Sequence, residues 1–530
     1  MPTVGEYKFT EEFCRRLITG KYLIVVDDMR EMEDWDTFKR AFPDHKNGSR
    51  ILLTTERDDI VEFKLNYLTY DQSWELLQKK VFYGDCPQED LKDIGIRIAK
   101  QCDGLPLAVV VIAGMLQDNI SKKAWETLAE SASKLHGWKI FWWKGVDLTK
   151  LIAFSYSHLP PHLKACFLYF GVFPQNYLIP SWILIRLWIA EGFVRPSKNV
   201  CLEEIAEEYL KDLVKRNLLL VEQRSFSGRI KTCRIHDILH DWCQKEALKE
   251  NLLQILSDLN LTARTTGHRL CIHSRNVLDY IATKPSGPRA RSFMCFTKHH
   301  QVNLPPQHVE YIPNKFKLLR VYHILPISFP RFPKEIEQLV HLTYVALSGD
   351  FNTIPAAVSN LLNLQTLIAE TSSHTTRTID VEADFRKMLK LRHLHTNKPS
   401  QLHDRVAKKT KDQDNAILNE SLQTLSTITP ESCTAGVLGQ TPCLKKVAIH
   451  GKLATLFDNL TPLKQLVTLK MLNDVFADPS ESKLQRLPQW KKFPPNLERL
   501  TLVLEKWSLK LENGVISSIK LETQKHFEAR

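Results

Sequence analysis

At 530 residues, with 25% charged residues and only 19 glycines, the chain is read as about three or four folded domains, which excludes a disordered or fibrous protein. The net charge of +12 makes it basic, yet Lys and Arg are interleaved with Asp and Glu, so charge alone does not point to nucleic acid. Eleven cysteines, an odd count with no C-x-x-C, suggest reduced thiols, and Cys233 with His236 lacks a second ligand pair, so zinc is not expected.

The opening MPTVGEYKFTEEF has no basic region followed by an apolar run, hence no signal peptide is read there and a cytoplasmic protein is expected. Tyr22 to Val26 is short and β-rich, as in a buried strand of a parallel sheet, and it runs into Asp27 and Asp28. Strand carboxyl ends face the ligand crevice of open α/β sheets, and carboxylates there suit Mg²⁺ beside phosphates, the Walker B arrangement. An apolar strand that merely ends in aspartate is the plain alternative. The companion G-x-x-x-x-G-K-[ST] loop is not in the sequence: Gly20-Lys21 is followed by Tyr22, and Arg15 stands where the first glycine should be.

DDMREMEDWDTFKRAF reads as a turn and amphipathic helix, HKNGSR as a loop and Ile51 to Thr55 as a second strand, together a βαβ unit. Residues 70 to 134 look mostly helical, with a break at GLPLA where Pro106 precedes an apolar helix. The longest apolar run, Leu105 to Leu116, is too short to span a bilayer, and Arg186 interrupts WILIRLWIA. From 150 to 250, short helices and a hairpin around Ser227-Gly228 leading into RIHDILHDWC form a winged-helix pattern. Such a domain can bind DNA, but the apolar load here suits packing against neighbours better than base reading.

The pattern L-x-x-h-x-h begins at Leu318, Leu342, Leu364, Leu391, Leu422, Leu444, Leu466 and Leu497, a leucine-rich repeat. FPKEIEQLVHLTYVAL and IPAAVSNLLNLQTLIA match apolar for apolar at a spacing of 22 residues. Each unit supplies one strand to a concave sheet, with leucines inside and intervening residues outside. Thr343, Tyr344, Arg392, His393, Lys445 and Lys446 are therefore expected to face outward, as partner contacts or as plain solvated surface. The polar stretch 397 to 416 reads as a mobile insertion.

In this order the motifs resemble plant intracellular immune receptors of the nucleotide-binding, leucine-rich-repeat class. KYLIVVDDM resembles their Walker B, NGSRILLTTE the sensor strand, CDGLPLA the proline loop, LPPHLKACFLYFGVFPQNY with LIRLWIAEGFV the winged helix, and CRIHDILHDW the M-H-D motif. The resemblance implies a multidomain fold: a partial α/β P-loop-type nucleotide-binding domain (1–65), a helical domain (66–145), a winged helix (146–250), a linker and repeat cap (251–310), an α/β leucine-rich-repeat solenoid (311–515) and a tail (516–530). It implies an ADP/ATP switch with Mg²⁺: Asp27 holds the metal through water, Asp28 braces or activates the attacking water, Thr55 ends the sensor strand and Pro106 packs on adenine. His236 would bond the β-phosphate of ADP. Read locally, Pro106 is a helix-start proline and Asp237 a helix cap.

Three departures stand out. Glu56 follows Thr55 where the family has Arg, with Arg57 one residue on; Ile235 replaces the usual Met; and the phosphate loop and signalling domain are not in the sequence, as in an N-terminally truncated form. A phosphate loop supplies several charged hydrogen bonds of about 1.5–3 kcal/mol each. Losing three removes roughly 4.5–9 kcal/mol, comparable to the ~8 kcal/mol behind a micromolar site. The sequence therefore leans away from an enzyme and toward defence by recognition, through the repeats, of a pathogen effector or host protein. The alternative is a binding module that pairs with a full-length receptor.

Overall fold

The computed structural model describes residues 20–29, 46–55, 63–83, 89–117, 120–135, 148–225, 228–256, 267–273, 277–296, 302–385, 387–403, 418–451, 463–472, 494–503 and 518–522, with 17, 35, 42 and 460. Strands β1 (Leu23–Met29) and β2 (Arg50–Thr55) pair in parallel, Leu23 opposite Arg50. The expected burial of this pair is not found: Leu23 is 71% exposed, Val25 58% and Leu52 55%. Among the described residues the two strands pair only with each other, so their alternate side chains have no layer to pack against. Most of the helix read from DDMREMEDWDTFKRAF, and Glu56 and Arg57, lie outside the described residues.

Four helices follow: α1 (Tyr70–Phe82), α2 (Glu89–Gln101), α3 (Pro106–Leu116) and α4 (Lys122–Leu135). Thr69 and Gln72 form a capping box that starts α1, each side chain satisfying a backbone N–H of the other. Helix α2 carries one apolar stripe, Leu91, Ile94 and Ile98, whereas α3 is apolar nearly all round and is the buried centre of the group.

Helix α3 also carries the join to the next domain. A Cβ on Gly114 would lie 1.8 Å from the carbonyl oxygen of Arg216, at the end of α8 (Leu202–Lys215). Backbone cannot step aside as a side chain can. Gly114→Ala should therefore destabilise the chain by about 1–3 kcal/mol in urea unfolding, despite alanine's higher helix propensity. A neutral or stabilising result would mean that this contact is loose.

The winged helix comprises α5 (Leu148–Ser157), α6 (Pro161–Leu168), α7 (Ser181–Ala190), α8, the antiparallel hairpin β4 (Leu220–Arg224) and β5 (Ile230–Arg234), and α9 (Asp237–Lys249). A short strand β3 (Ile179–Pro180) joins β5, and Gly228, at φ +77°, makes the hairpin turn as the sequence indicated. Phe167, Phe170, Phe173 and Trp188 are fully or almost fully buried at its centre.

The repeats form a parallel ladder: β6 (Gln254–Leu256), β7 (Arg269–Ile272), β8 (Ser292–Cys295), β9 (Val321–Phe329), β10 (Tyr344–Gly349), β11 (Thr366–Thr371), β12 (His393–Thr396), β13 (Thr424–Ile428), β14 (Lys446–His450), β15 (Thr468–Leu472), β16 (Arg499–Val503) and β17 (Ser518–Glu522). Leu342, Leu364, Leu391, Leu422, Leu444 and Leu466 are each fully buried two residues before a strand.

The first anchor is Leu319, not Leu318. Val321 pairs with Tyr344, which aligns Leu319 with Leu342; Leu319 is fully buried and Leu318 is 43% exposed. A shift of one residue on a strand exchanges its faces. The ladder also extends beyond 311–515 on both sides, because β6 to β8 fall in the stretch read as linker and cap and β17 in the stretch read as tail. At β8 the anchor position is buried Ala290 and at β7 it is Gly267, small residues that hide the leucine period. Within 397–416, Ser400–Leu402 is a strand paired with Ile379–Val381, and 404–417 lies outside the described residues.

Candidate functional site

The residues expected to meet a nucleotide stand on three elements. Asp27 lies within β1, exposed, and its Oδ1 accepts a hydrogen bond from the Thr54 hydroxyl on β2. The strand continues to Met29, so the acidic pair sits inside its last turn of pleat rather than beyond its end, and the side chain of Asp28 lies outside the described residues. Thr55 donates to the Met29 carbonyl at 2.7 Å, so that bond ties the two strands together.

Pro106 is the exposed first residue of α3, following Leu105 as N-cap. There its missing N–H costs nothing and its fixed φ suits a helix start. Just before it, Asp103 and Gly104 have φ +50° and +74°, and Gly104 accepts from the Leu68 N–H at 2.9 Å.

At the M-H-D-like motif the cap differs from expectation. His236, not Asp237, is the N-cap of α9: its Nδ1 accepts from the Ile238 N–H at 3.3 Å. An accepting Nδ1 leaves the ring proton of neutral imidazole on Nε2, and burial of part of the ring lowers its pKa, which favours that neutral form. Asp237 is instead tied sideways, its Oδ2 accepting from Asn176 Nδ2 at 3.2 Å.

The most heavily built polar cluster is elsewhere, and sequence reasoning missed it. Glu203, in the first turn of α8, takes Arg392 in a two-pronged ion pair, with Arg392 Nε donating to Oε1 at 2.7 Å and Nη2 to Oε2. His393 Nε2 donates to Oε1 at 2.9 Å and Gln423 Nε2 to Oε2 at 3.3 Å. Burial raises the Glu203 pKa, but the bonds from His393 and Arg392 outweigh it and hold the carboxyl well below its usual range. Next to it, Lys445 pairs with Glu204 at 3.1 Å.

A second anchor lies at the other end of the contact. Glu191, just past α7, accepts from Arg269 Nε at 2.7 Å and from the Ser292 hydroxyl at 2.7 Å. Between the two anchors the repeat strands divide their side chains. Leu270, Phe293, Tyr322, Val345 and Leu367 join the solenoid core, while Cys271, Met294, Val321, Tyr344 and Ile368 join the winged-helix core. This is the period-2 alternation of strands with both faces buried.

The concave face of the first repeats is thus covered by the winged helix. The six outward positions are corrected accordingly: Tyr344 and His393 are buried, Arg392 and Lys445 are ion-paired, Thr343 donates to the Ala190 carbonyl at 3.3 Å, and only Lys446 is exposed. They point where the pattern put them, but this chain itself occupies the face. The acidic first turn of α8, meeting cations of the repeats, is also the wrong charge to approach a phosphate backbone. A signal was present in Glu203-Glu204, which by itself reads only as an acidic helix start.

A model of the NB-ARC domain matches residues 3–86, and a model of the disease resistance protein winged helix domain matches 172–243. Putative late blight resistance protein homolog R1B-14 of Solanum demissum is 35% identical over 473 residues, 84% of this chain and 34% of that protein. Late blight resistance protein R1-A, from the same plant, is 35% identical over 410 residues, 72% of this chain and 30% of that protein. The chain spans about a third of the length of the curated relatives it matches. Among solved structures, a Leptospira interrogans LRR protein aligns at 16% identity over 49% of this chain and 61% of its own, with a TM-score of 0.28, too low to bear on the fold. On its ordered nucleotide-domain, winged-helix and repeat segments, the chain belongs to the plant NB-ARC leucine-rich-repeat family of disease resistance proteins.

Proposed function

We propose that this chain serves plant defence against pathogens as a recognition protein whose winged helix holds the concave face of its repeats. The observation that carries this reading is the Glu203 cluster: one carboxylate receives bonds from three repeat side chains on two adjacent turns of the solenoid. Directional, largely buried ion pairs fix one arrangement of two bodies and are costly to break singly, which suits a docked state that is kept or released as a whole. The partner proposed for the repeats is a pathogen effector or a host protein, and pairing with a full-length receptor of the same family is the second reading.

ADP or ATP with Mg²⁺ is the family's cofactor. When bound, it would supply phosphate charge and a hard metal ion. Asp27 has the oxygen donors that Mg²⁺ takes, and His236 Nε2 has a proton to give a phosphate. As a set, however, they do not make a self-sufficient site: Thr54 already engages Asp27 Oδ1, and no G-x-x-x-x-G-K-[ST] loop is in the sequence. Isothermal titration of the 530-residue chain with ADP and Mg²⁺ should show no binding at micromolar strength. Micromolar binding would establish that these residues suffice, and would favour a nucleotide-driven switch over the second reading.

A further inference from the structure

Arg186 is a charge on the covered face without a counter-charge of its own. It lies in α7, only 9% exposed, with its guanidinium carbon 4.6 Å from the centre of the Trp182 ring. Among the described residues no hydrogen bond or ion pair reaches it. Of its three nitrogens only Nη1 is both sealed from solvent and unpartnered, so Nε and Nη2 keep a path to solvent. Burial lowers its pKa to about 10 while Tyr344 and Glu203 act in the opposite sense, and the group stays charged at neutral pH. A buried charge left unpaired is costly, and an anion that reaches it recovers that cost.

The carboxylates of this region are committed or placed elsewhere. Glu203 holds Arg392, His393 and Gln423, and Glu204 holds Lys445. Glu370, on β11, bears on Tyr177 and Tyr344 rather than on Arg186. What stands near Arg186 is a second cation. Lys446, the first residue of β14, shares a rung with Thr424 and His393, is exposed, and has no ion pair among the described residues. Burial lowers its pKa first, and Arg186 is the next cause. His395 borders both cations: its ring lies 4.9 Å from the Trp182 ring, and Ser426 engages its Nδ1 at 2.8 Å. Burial, then Arg186 and Lys446, bring its pKa down to about 4, so at neutral pH it adds no charge.

We propose that Arg186 and Lys446 form a site for one small, doubly charged oxyanion of the phosphate type, which bridges the winged helix and the repeats. This rests on the reading that the winged helix holds the concave face, because Arg186 comes from one body and Lys446 from the other. Two cations without a carboxylate of their own match two negative charges, and a guanidinium offers its N–H groups in a fork that oxyanions accept. Exposed Lys446 gives entry from solvent. Buried Arg186 sets the size limit, since a small ion can reach it where a polymer cannot. The site is separate from Asp27, Pro106 and His236, none of which stands on α7 or β14. Undocking would part the two cations, so the bound anion favours the docked state by mass action.

The test is isothermal titration of the 530-residue chain with inorganic phosphate at constant ionic strength, with sulfate and acetate as comparison ions and thermal unfolding as a second readout. Phosphate and sulfate should bind and raise the melting midpoint; acetate, with one charge, should bind at least about tenfold more weakly. Arg186→Met keeps an unbranched stem and removes the charge. It should weaken phosphate binding about tenfold to a hundredfold, and in phosphate-free buffer it should melt no lower than the unmodified chain. Lys446→Met, on the open side, should weaken binding about threefold to tenfold, and circular dichroism checks that both variants fold. Absence of phosphate binding would overturn the proposal, as would acetate binding as tight as phosphate or a lower midpoint for R186M in phosphate-free buffer. A phosphate effect equal in the unmodified chain and both variants is general salt stabilisation and would overturn it too. Hydrogen exchange on α8 and β12 in Glu203→Ala reports on docking itself. Unchanged exchange there would overturn the winged-helix reading, whereas accelerated exchange in that variant with no phosphate binding by the unmodified chain would overturn the anion site alone.

Discussion

Glu203→Ala should destabilise the docked winged helix by about 2–4 kcal/mol. Breaking a fully buried ion pair costs about 3–5 kcal/mol, because the abandoned charge stays desolvated. Here about a fifth of each partner remains exposed, 19% for the Glu203 side chain and 18% for Arg392, so solvent screens part of the loss. The variant leaves Arg392, His393 and Gln423 without their common acceptor. Hydrogen exchange should accelerate at the start of α8 and on β12, while the α1–α4 group stays protected. E203A/R392A should cost less than the sum of the two single changes, since it removes the orphaned charge along with its partner. A loss below about 0.5 kcal/mol, in the range of an exposed surface pair, would show that the cluster does not hold the two bodies together.

The second large effect is on pH. His323 and His393 are buried on the covered face, 2% and 4% exposed, and burial takes the pKa of each down to about 3; Arg186 adds to the effect at His393 while Glu203 opposes it. An imidazole whose folded pKa lies below its unfolded value, near 6.5, is held neutral by the fold. Its contribution is complete above about pH 6.5 and is lost progressively as pH falls toward 3, because the unfolded chain takes up protons that the folded one refuses. At about 1.36 kcal/mol per unit and per group, the two together should cost roughly 2–3 kcal/mol at about pH 5.5 relative to neutral pH. Glu203 has the opposite kind of shift and adds its loss only below about pH 4.5.

Thermal unfolding between about pH 7.5 and about pH 5.5 reads this directly. His323 stacks on Phe296 at 4.3 Å and shares a hydrogen bond with the Tyr344 hydroxyl at 3.0 Å, so H323F keeps a ring while removing the titration. It should abolish about a quarter of the acid sensitivity, because burial also holds His273 and His395 neutral, with the pKa of each down to about 4. Equal stability at both pH values in the unmodified chain would mean that these imidazoles are hydrated, and the covered face open.

What was legible in the sequence was local or periodic. The strand entering Asp27, the proline at the start of α3, the hairpin before α9 and the leucines from Leu342 to Leu466 announce themselves through residue type and spacing, since each reports on backbone geometry within a few positions. Where small anchors stand in for leucine, at Ala290 and Gly267, the ladder continued unseen. The one-residue offset at Leu318-Leu319 was equally hidden: both residues fit the pattern, and only pairing with β10 chooses between them.

For the candidate site, the sequence supplied the residue types and the family, while the partners of each side chain came from tertiary structure. His236 could be placed at a helix start but not distinguished from Asp237 as its cap, because that depends on χ angles and on Asn176 some sixty residues away. The outward face of the repeats followed from period 2 alone. That Tyr344 and Arg392 meet α7 and α8 instead of water did not, because Glu203 and Arg392 lie 189 residues apart and no local rule relates them. By itself, then, the sequence determined a family, an order of domains and the inward leucines of the solenoid. Only the tertiary structure decided which half of the concave face the chain covers, because burial of that face is a property of two surfaces brought together and not of either segment's own pattern.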